Sequence, residues 1–210
     1  MMAPPYRTDQ VGSLIRPRYL LDARASLVGW LESKEKDQED AASQAEYQNA
    51  VKAAEHKAIK EVIIEQLDRG ILPLSSGEFE RPIFYGGFFE ALDGLEMEFT
   101  EWEKFRPDFP TNRPLRAIAG MKGRAVGVAT SKVRYTRSPY LNDWLYIRSL
   151  LPKEKWKDVK MTLPAPCWWH IQLKDGQAWR DGVYSGDSEF LKDMSNCVRQ
   201  EVMTLYDAGV

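Results

Sequence analysis

The sequence predicts an α/β protein built around a parallel sheet. A short run at 7–17 carries Gly12-Ser13 immediately before a helical pattern, and a long helical pattern over about 41–69 ends at a glycine. A short apolar run follows and ends in Ser-Ser-Gly-Glu at 75–78. A strand, a long helix and a second strand in this order form the repeat of parallel α/β folds.

Further elements follow from the spacing of apolar residues. Helical spacing predicts additional helices after Pro17, from Ser138 to Leu151 and from Asp187 to Gly209. Shorter apolar runs predict a strand or hairpin over 116–129 and a core strand over 159–163. The stretch at about 83–114, rich in aromatic residues, glycine and proline, is expected to form an irregular arm or lid.

Composition narrows the class of protein. The 210 residues carry a formal net charge of −2, which gives no electrostatic reason to expect binding to nucleic acid or to an anionic membrane. Only two cysteines occur, so a disulfide framework is excluded and a reducing compartment, the cytoplasm, is expected. No apolar run approaches the length that spans a bilayer.

Two expected strands end at small residues. In parallel α/β folds the carboxyl ends of the strands carry the functional site. Gly12-Ser13 and Gly77-Glu78 should therefore face the same opening. Glycine allows a ligand to approach the backbone closely, and serine adds a hydroxyl group.

The segment Cys167-Trp168-Trp169-His170 follows the last expected strand. Cys167 and His170 are metal-ligand types, but residues three apart in a straight strand point to opposite faces, and no third ligand is apparent. We therefore interpret Trp168, Trp169 and His170 as a pocket wall. Cys197 falls on the apolar face of the last helix and is expected in the core.

Four motifs in order resemble the cobalamin-independent methionine synthase family, in particular the single-barrel relatives of its catalytic C-terminal half. They are the segments at 9–17 (DQVGSLIRP), 77–81 (GEFER), 161–166 (MTLPAP) and 201–209 (EVMTLYDAG). The resemblance spans nearly the whole chain. It implies a partial (β/α)8 TIM barrel, about its first four βα units, as a single incomplete domain over 1–210.

The resemblance also implies a function in methionine biosynthesis, a branch of amino-acid biosynthesis. Members of this family are methyltransferases that move a methyl group from a folate to the thiol of homocysteine, and zinc activates that thiol. Val11, Gly12 and Ser13 match the turn that contacts the amino-acid substrate. Glu78 matches the acidic residue that pairs with the substrate's ammonium group. The expected partner is a small, homocysteine-like amino acid.

The family's zinc ligands, a His-x-Cys pair, a Glu and a later Cys, match positions beyond Val210. We therefore expect no metal ligand and no catalytic residue in this chain, and a truncated half-barrel inactive by itself. Its open edges would favour oligomers. Two alternatives stay open: a catalytically dead module that binds an amino acid or thiol, and a superfamily enzyme acting on another thiol or alkyl group.

Overall fold

The computed structural model describes residues 10–33, 41–118 and 120–210 and is a mixed α/β structure. The chain forms two compact units. The first unit comprises Met1–Phe84, Asn142–Thr162 and Gly209–Val210, and the second comprises Tyr85–Leu141 and Leu163–Ala208. The single domain expected over 1–210 stays a prediction.

The described ranges contain five α-helices and two strands. The helices are α1 (Arg18–Ser33), α2 (Ala41–Asp68), α3 (Asn112–Arg116), α4 (Leu141–Ser149) and α5 (Asp187–Asp207), and the strands are β1 (Leu92–Glu101) and β2 (Gly123–Tyr135). Short 3-10 helices occupy Phe89–Ala91, Trp102–Lys104 and Lys153–Asp158. None of the helices in the described parts of the chain is long and apolar enough to cross a membrane.

The helical spacing of apolar residues is confirmed in the first unit by α2. Ala58, Ile59 and Ile63 lie on its buried face. Gly70 ends the helix in a left-handed conformation (φ 65°), which lets the amide of Ile71 bond the carbonyl of Gln66 at 2.8 Å. This closure of the last turn is the common glycine-terminated helix end.

The three strands expected in the first unit do not form a ladder. Residues 10–17, the described part of the first expected strand, contain no strand structure. The segments around 74 and 159 share a single parallel bridge, between Leu74 and Val159. The physical reason is that side chains replace the neighbouring strand. Gln66 bonds both the amide and the carbonyl of Ser75, and Gln10 donates to the carbonyl of Pro73 at 2.7 Å.

In the second unit β1 and β2 form an antiparallel sheet. The parallel sheet expected from the segments of the first unit stays a prediction. β1 pairs with β2, with Leu95 opposite Ala129 and Met97 opposite Gly127. Gly127 lies in the core, where a Cβ would come within 2.7 Å of the Trp169 ring. β2 confirms the strand or hairpin expected over 116–129 only for residues 123–129, and it continues to Tyr135. The partial barrel stays a prediction.

Ten residues of the stretch at 83–114, which the sequence predicts to be irregular, form the strand β1. An arm or lid in this stretch stays a prediction. The alternation that would have revealed this strand is interrupted. The register shifts between Asp93 and Leu95, and the intervening Gly94 has φ 81°. Residues 95–99 nevertheless alternate between apolar side chains and glutamate, so a period of two could have been read from this half of the strand.

The last helix of the second unit, α5, carries the expected buried face, which includes Met194, Cys197 and Leu205. Glu201 is also fully buried on this face. Its carboxylate accepts hydrogen bonds from Tyr135 Oη at 2.8 Å, Ser138 Oγ at 2.9 Å and the amide of Tyr140 at 3.2 Å. This one side chain therefore ties the end of β2 and the following turn to α5.

Candidate functional site

The candidate site of the first unit is built on the turn at 75–81. The amide of Gly77 donates to Ser75 Oγ at 3.2 Å, and the amide of Glu78 donates to Ser76 Oγ at 3.1 Å. Gly77 and Glu78 are both left-handed, with φ values of 67° and 58°. For glutamate this conformation is unfavourable, and such residues persist where the surroundings hold them and are enriched at functional sites.

The Glu78 carboxylate is 6% exposed and is held by two hydroxyl groups. Ser13 Oγ donates to Oε2, and Thr162 Oγ1 donates to Oε1 at 2.6 Å. The guanidinium of Arg81 lies 4.0 Å from Oε1. Three separate segments of the chain therefore converge on one buried carboxylate, and this arrangement fixes its orientation.

Gly12 lies directly against this carboxylate. A Cβ at position 12 would lie 3.0 Å from Glu78 Cδ and 3.1 Å from Thr162 Cγ2. The glycine does not have a left-handed backbone, so conformation does not require it. Gly12 provides space for the carboxylate.

Buried charges surround the turn. Arg81 Nε lies 3.4 Å from Glu80 Oε1, and the two side chains are 4% and 1% exposed. Arg81 also donates to the carbonyl of Thr162 at 2.9 Å. In this way Arg81 neutralises Glu80 and is fixed next to Glu78. A buried carboxylate such as that of Glu80 is tolerated only with a nearby cation.

Asp143 on α4 extends this charged cluster. Burial, followed by the negative charge of Glu80, raises the pKa of Asp143 to about 6, while Lys52 and Arg81 act in the opposite direction. Lys52 on α2 lies 3.5 Å from its carboxylate. Asp143 therefore titrates in the physiological range.

We expect Asp143→Asn to raise stability at neutral pH. The folded state binds the Asp143 proton more tightly than the unfolded state does. Protonation of Asp143 therefore stabilises the fold fully below pH 3.8, and this stabilisation is lost as the pH rises through about 6. Between pH 4 and pH 7.5 the free energy of unfolding should fall by about 2–3 kcal/mol less in the variant than in the wild type. Urea titrations at both pH values measure this, with the exposed Asp22→Asn as control. An equal change in the free energy of unfolding between the two pH values in variant and wild type would contradict the raised pKa of Asp143.

The structure places the sequence-derived candidates in two groups. Gly12, Ser13 and Glu78 come together as described, and the side chain of Val11 beside them is 97% exposed. Thr162 and Arg81 complete the cluster and were not identified from the sequence. Thr162 ends an expected strand, the position where site residues occur in parallel α/β folds, so it could have been found.

The proposed pocket wall lies in the second unit. Trp169 is 2% exposed and packs edge-on against Tyr85 at 5.0 Å. The ring of His170 stacks with Trp179, and its Nε2 lies 3.1 Å from Asp187 Oδ1. Trp168 packs against Tyr85 at 5.3 Å. These contacts give Trp169 and His170 packing partners of their own, and a pocket wall at 168–170 stays a prediction.

Zinc does not fit the described residues. No group of three or more His, Cys, Asp or Glu side chains there is arranged to hold a metal ion. At the candidate site both Glu78 oxygens accept hydroxyl hydrogen bonds, and the neighbouring charged group is a guanidinium. Cys167 is half-buried, and Cys197 is buried in the second unit. These residues are therefore assigned no role in zinc binding or zinc chemistry.

No protein-family model matches the chain. Two uncharacterised proteins of Bacillus subtilis (strain 168) are similar to it: YxjH is 26% identical over 205 residues and YxjG is 25% identical over 206 residues. In each case the match covers 98% of this chain and 46% of the relative. The chain thus spans about half the length of the curated relatives it matches.

A solved structure is also similar to the chain. It is a B12-independent methionine synthase from Shewanella sp. W3-18-1 in complex with selenomethionine. The TM-score is 0.53 and the identity is 18%, over 77% of this chain and 41% of that one. At this identity the similarity concerns the fold alone.

Proposed function

We propose that this chain forms the amino-acid-binding part of a methionine-synthase-like methyltransferase. The Glu78 carboxylate would pair with the α-ammonium group of a homocysteine-like substrate. The observation that carries the proposal is the convergence of Ser13, Thr162 and Gly12 on this buried carboxylate. The selenomethionine complex of the structural neighbour supports the choice of an amino-acid ligand.

The carboxylate has capacity for such a ligand. An ionised carboxylate offers about four lone-pair sites, and the two hydroxyl donors occupy one site on each oxygen. A substrate ammonium group can therefore bind without displacing Ser13 or Thr162. Since the hydroxyls already orient the carboxylate, binding requires little reorganisation of the turn.

The residues of this chain would bind and orient the substrate. Gly12 would leave space for the Glu78 carboxylate, and Ser13 would keep its Oε2 in place. Methyl transfer from a folate and activation of the thiol are not assigned to any described residue. We propose that they require further groups of a whole protein acting in the cytoplasm.

Calorimetry tests the proposal with three ligands. We expect wild-type protein to bind L-methionine and L-homocysteine, and to bind 4-(methylthio)butanoate, which lacks the ammonium group, at least about 10-fold more weakly. Glu78→Gln should weaken binding of both amino acids by a similar factor and leave that of the butanoate unchanged. The control is Glu65→Gln, because Glu65 is exposed on α2.

Two results would contradict the proposal. One is equal affinity of the wild type for L-methionine and for the analogue that lacks the ammonium group. The other is an unchanged amino-acid affinity in Glu78→Gln that retains the wild-type fold by circular dichroism.

A further inference from the structure

Two arginines converge on the backbone of the turn that carries Glu78. Arg24 on α1 donates from Nη1 to the carbonyl of Arg81 at 3.0 Å and from Nη2 to the carbonyl of Phe79 at 2.6 Å. Arg16, just before α1, donates to the same Arg81 carbonyl at 3.0 Å and to the carbonyl of Glu78 at 3.3 Å. The carbonyls of the turn therefore bind guanidinium groups.

This arrangement has an electrostatic cost. Burial and the nearby charge of Arg24 lower the pKa of Arg16. Arg16 Nε is buried and has no hydrogen-bond partner within the described part of the chain. A single backbone amide could donate a hydrogen bond to the Arg81 carbonyl without bringing two positive charges together.

A neighbouring ion pair fixes one of the two arginines. Arg24 Nη2 lies 2.9 Å from Glu55 Oε1 on α2, and the two side chains are 15% and 10% exposed. Glu55 is also 3.6 Å from Lys52. The ion pair between α1 and α2 thus fixes the position of the Arg24 guanidinium independently of its contacts with the turn.

The turn needs such support because Glu78 is left-handed. A residue in this conformation relaxes unless several contacts determine its backbone together. A guanidinium is suited to this role, since its planar, multiple donors can bind two carbonyls in a fixed geometry.

We propose that Arg24, held by Glu55, and Arg16 are positioning residues that keep the Glu78 backbone left-handed and so direct its carboxylate toward Gly12 and Ser13. This inference rests on the proposed amino-acid function of Glu78. It assigns the two arginines no contact with the substrate. They act on the site through the carbonyls of the turn.

The first test measures affinity for L-methionine by calorimetry. Arg24→Gln should weaken binding about 10-fold, because a small misplacement of the carboxylate is sufficient for such a loss. Arg24→Lys keeps a charge next to Glu55 but cannot bind two carbonyls in the same way, so its affinity should be intermediate. Arg69→Gln is the matched control, since Arg69 is exposed and pairs with Glu65 of α2.

The second test does not depend on binding. In 15N-labelled protein, the three-bond coupling between the amide and α protons of Glu78, together with its amide-to-α nuclear Overhauser effects, reports the sign of φ. Arg24→Gln and Arg16→Gln should both move this residue out of the left-handed region. Arg69→Gln should leave it there.

The two tests separate failure of the inference from failure of the proposed function. If the wild type binds no amino acid but Arg24→Gln changes the Glu78 backbone, the proposed function fails and the positioning role stands. If the wild type binds and Arg24→Gln neither weakens binding nor changes the Glu78 backbone, the positioning role is overturned. If Arg24→Gln does not fold, the same readouts on Arg24→Lys and Arg16→Gln decide.

Discussion

Replacing Glu201 with alanine should lower the free energy of unfolding by about 3 kcal/mol or more, because it removes a buried carboxylate that accepts hydrogen bonds from three donors. The carboxylate accepts from Tyr135, Ser138 and the amide of Tyr140, and the side chain is fully buried. Chemical denaturation followed by far-ultraviolet circular dichroism measures the effect.

Two further variants make the Glu201 prediction specific. Gln200→Ala, at an exposed position on the same helix, should change the free energy of unfolding by less than about 0.5 kcal/mol. Glu201→Gln keeps the shape and one acceptor oxygen, so its stability should fall between that of the alanine variant and the wild type. A loss in Glu201→Ala no larger than that of Gln200→Ala would show that these hydrogen bonds do not stabilise the second unit.

Gly12→Ala should weaken L-methionine binding by at least about 10-fold while changing stability little. The new methyl group would collide with the Glu78 carboxylate, which lies at the end of a flexible side chain. The carboxylate would have to move away, and this movement breaks the hydrogen bond that its Oε1 accepts from Thr162. The expected result is therefore a loss of affinity without unfolding.

Gly29→Ala provides the matched control for Gly12→Ala. A Cβ at position 29 would have no neighbour within 4 Å, and the residue lies within α1. This variant should be stabilised by up to about 1 kcal/mol through helix propensity, with unchanged binding. If Gly12→Ala bound L-methionine as tightly as Gly29→Ala, the close approach at Gly12 would have no role in the site.

Local patterns predicted the four longer helices, α1, α2, α4 and α5, but not the short α3. The apolar residues of α2 and α5 recur at helical spacing, and most of the interactions that define a helix lie within a few residues. The strands were predicted less well, since pairing depends on distant partners. β1 was missed because Gly94 confines its alternation to residues 95–99, inside a stretch rich in glycine and proline. The strand expected around 71–77 is reduced to one bridge because Gln66 and Gln10 satisfy its backbone.

The candidate site divides in the same way. Gly12, Ser13 and Glu78 were identified from two small-residue turns and from the resemblance to a family. Arg16 and Arg24 were not, since an arginine near the start of a helix has no sequence signal that distinguishes it from a solvent-exposed one. Asp143 also lacked a signal, because its raised pKa depends on burial and on Glu80, which is distant in sequence.

The sequence by itself determined the four longer helices and the residue types available to the site, because both depend on local chemistry. Only the tertiary structure decided that Ser13, Glu78 and Thr162 meet at one buried carboxylate. It also decided that the paired strands are antiparallel and that arginines hold the Glu78 turn. The physical reason is that burial, charge proximity and strand pairing depend on contacts between residues far apart in the chain.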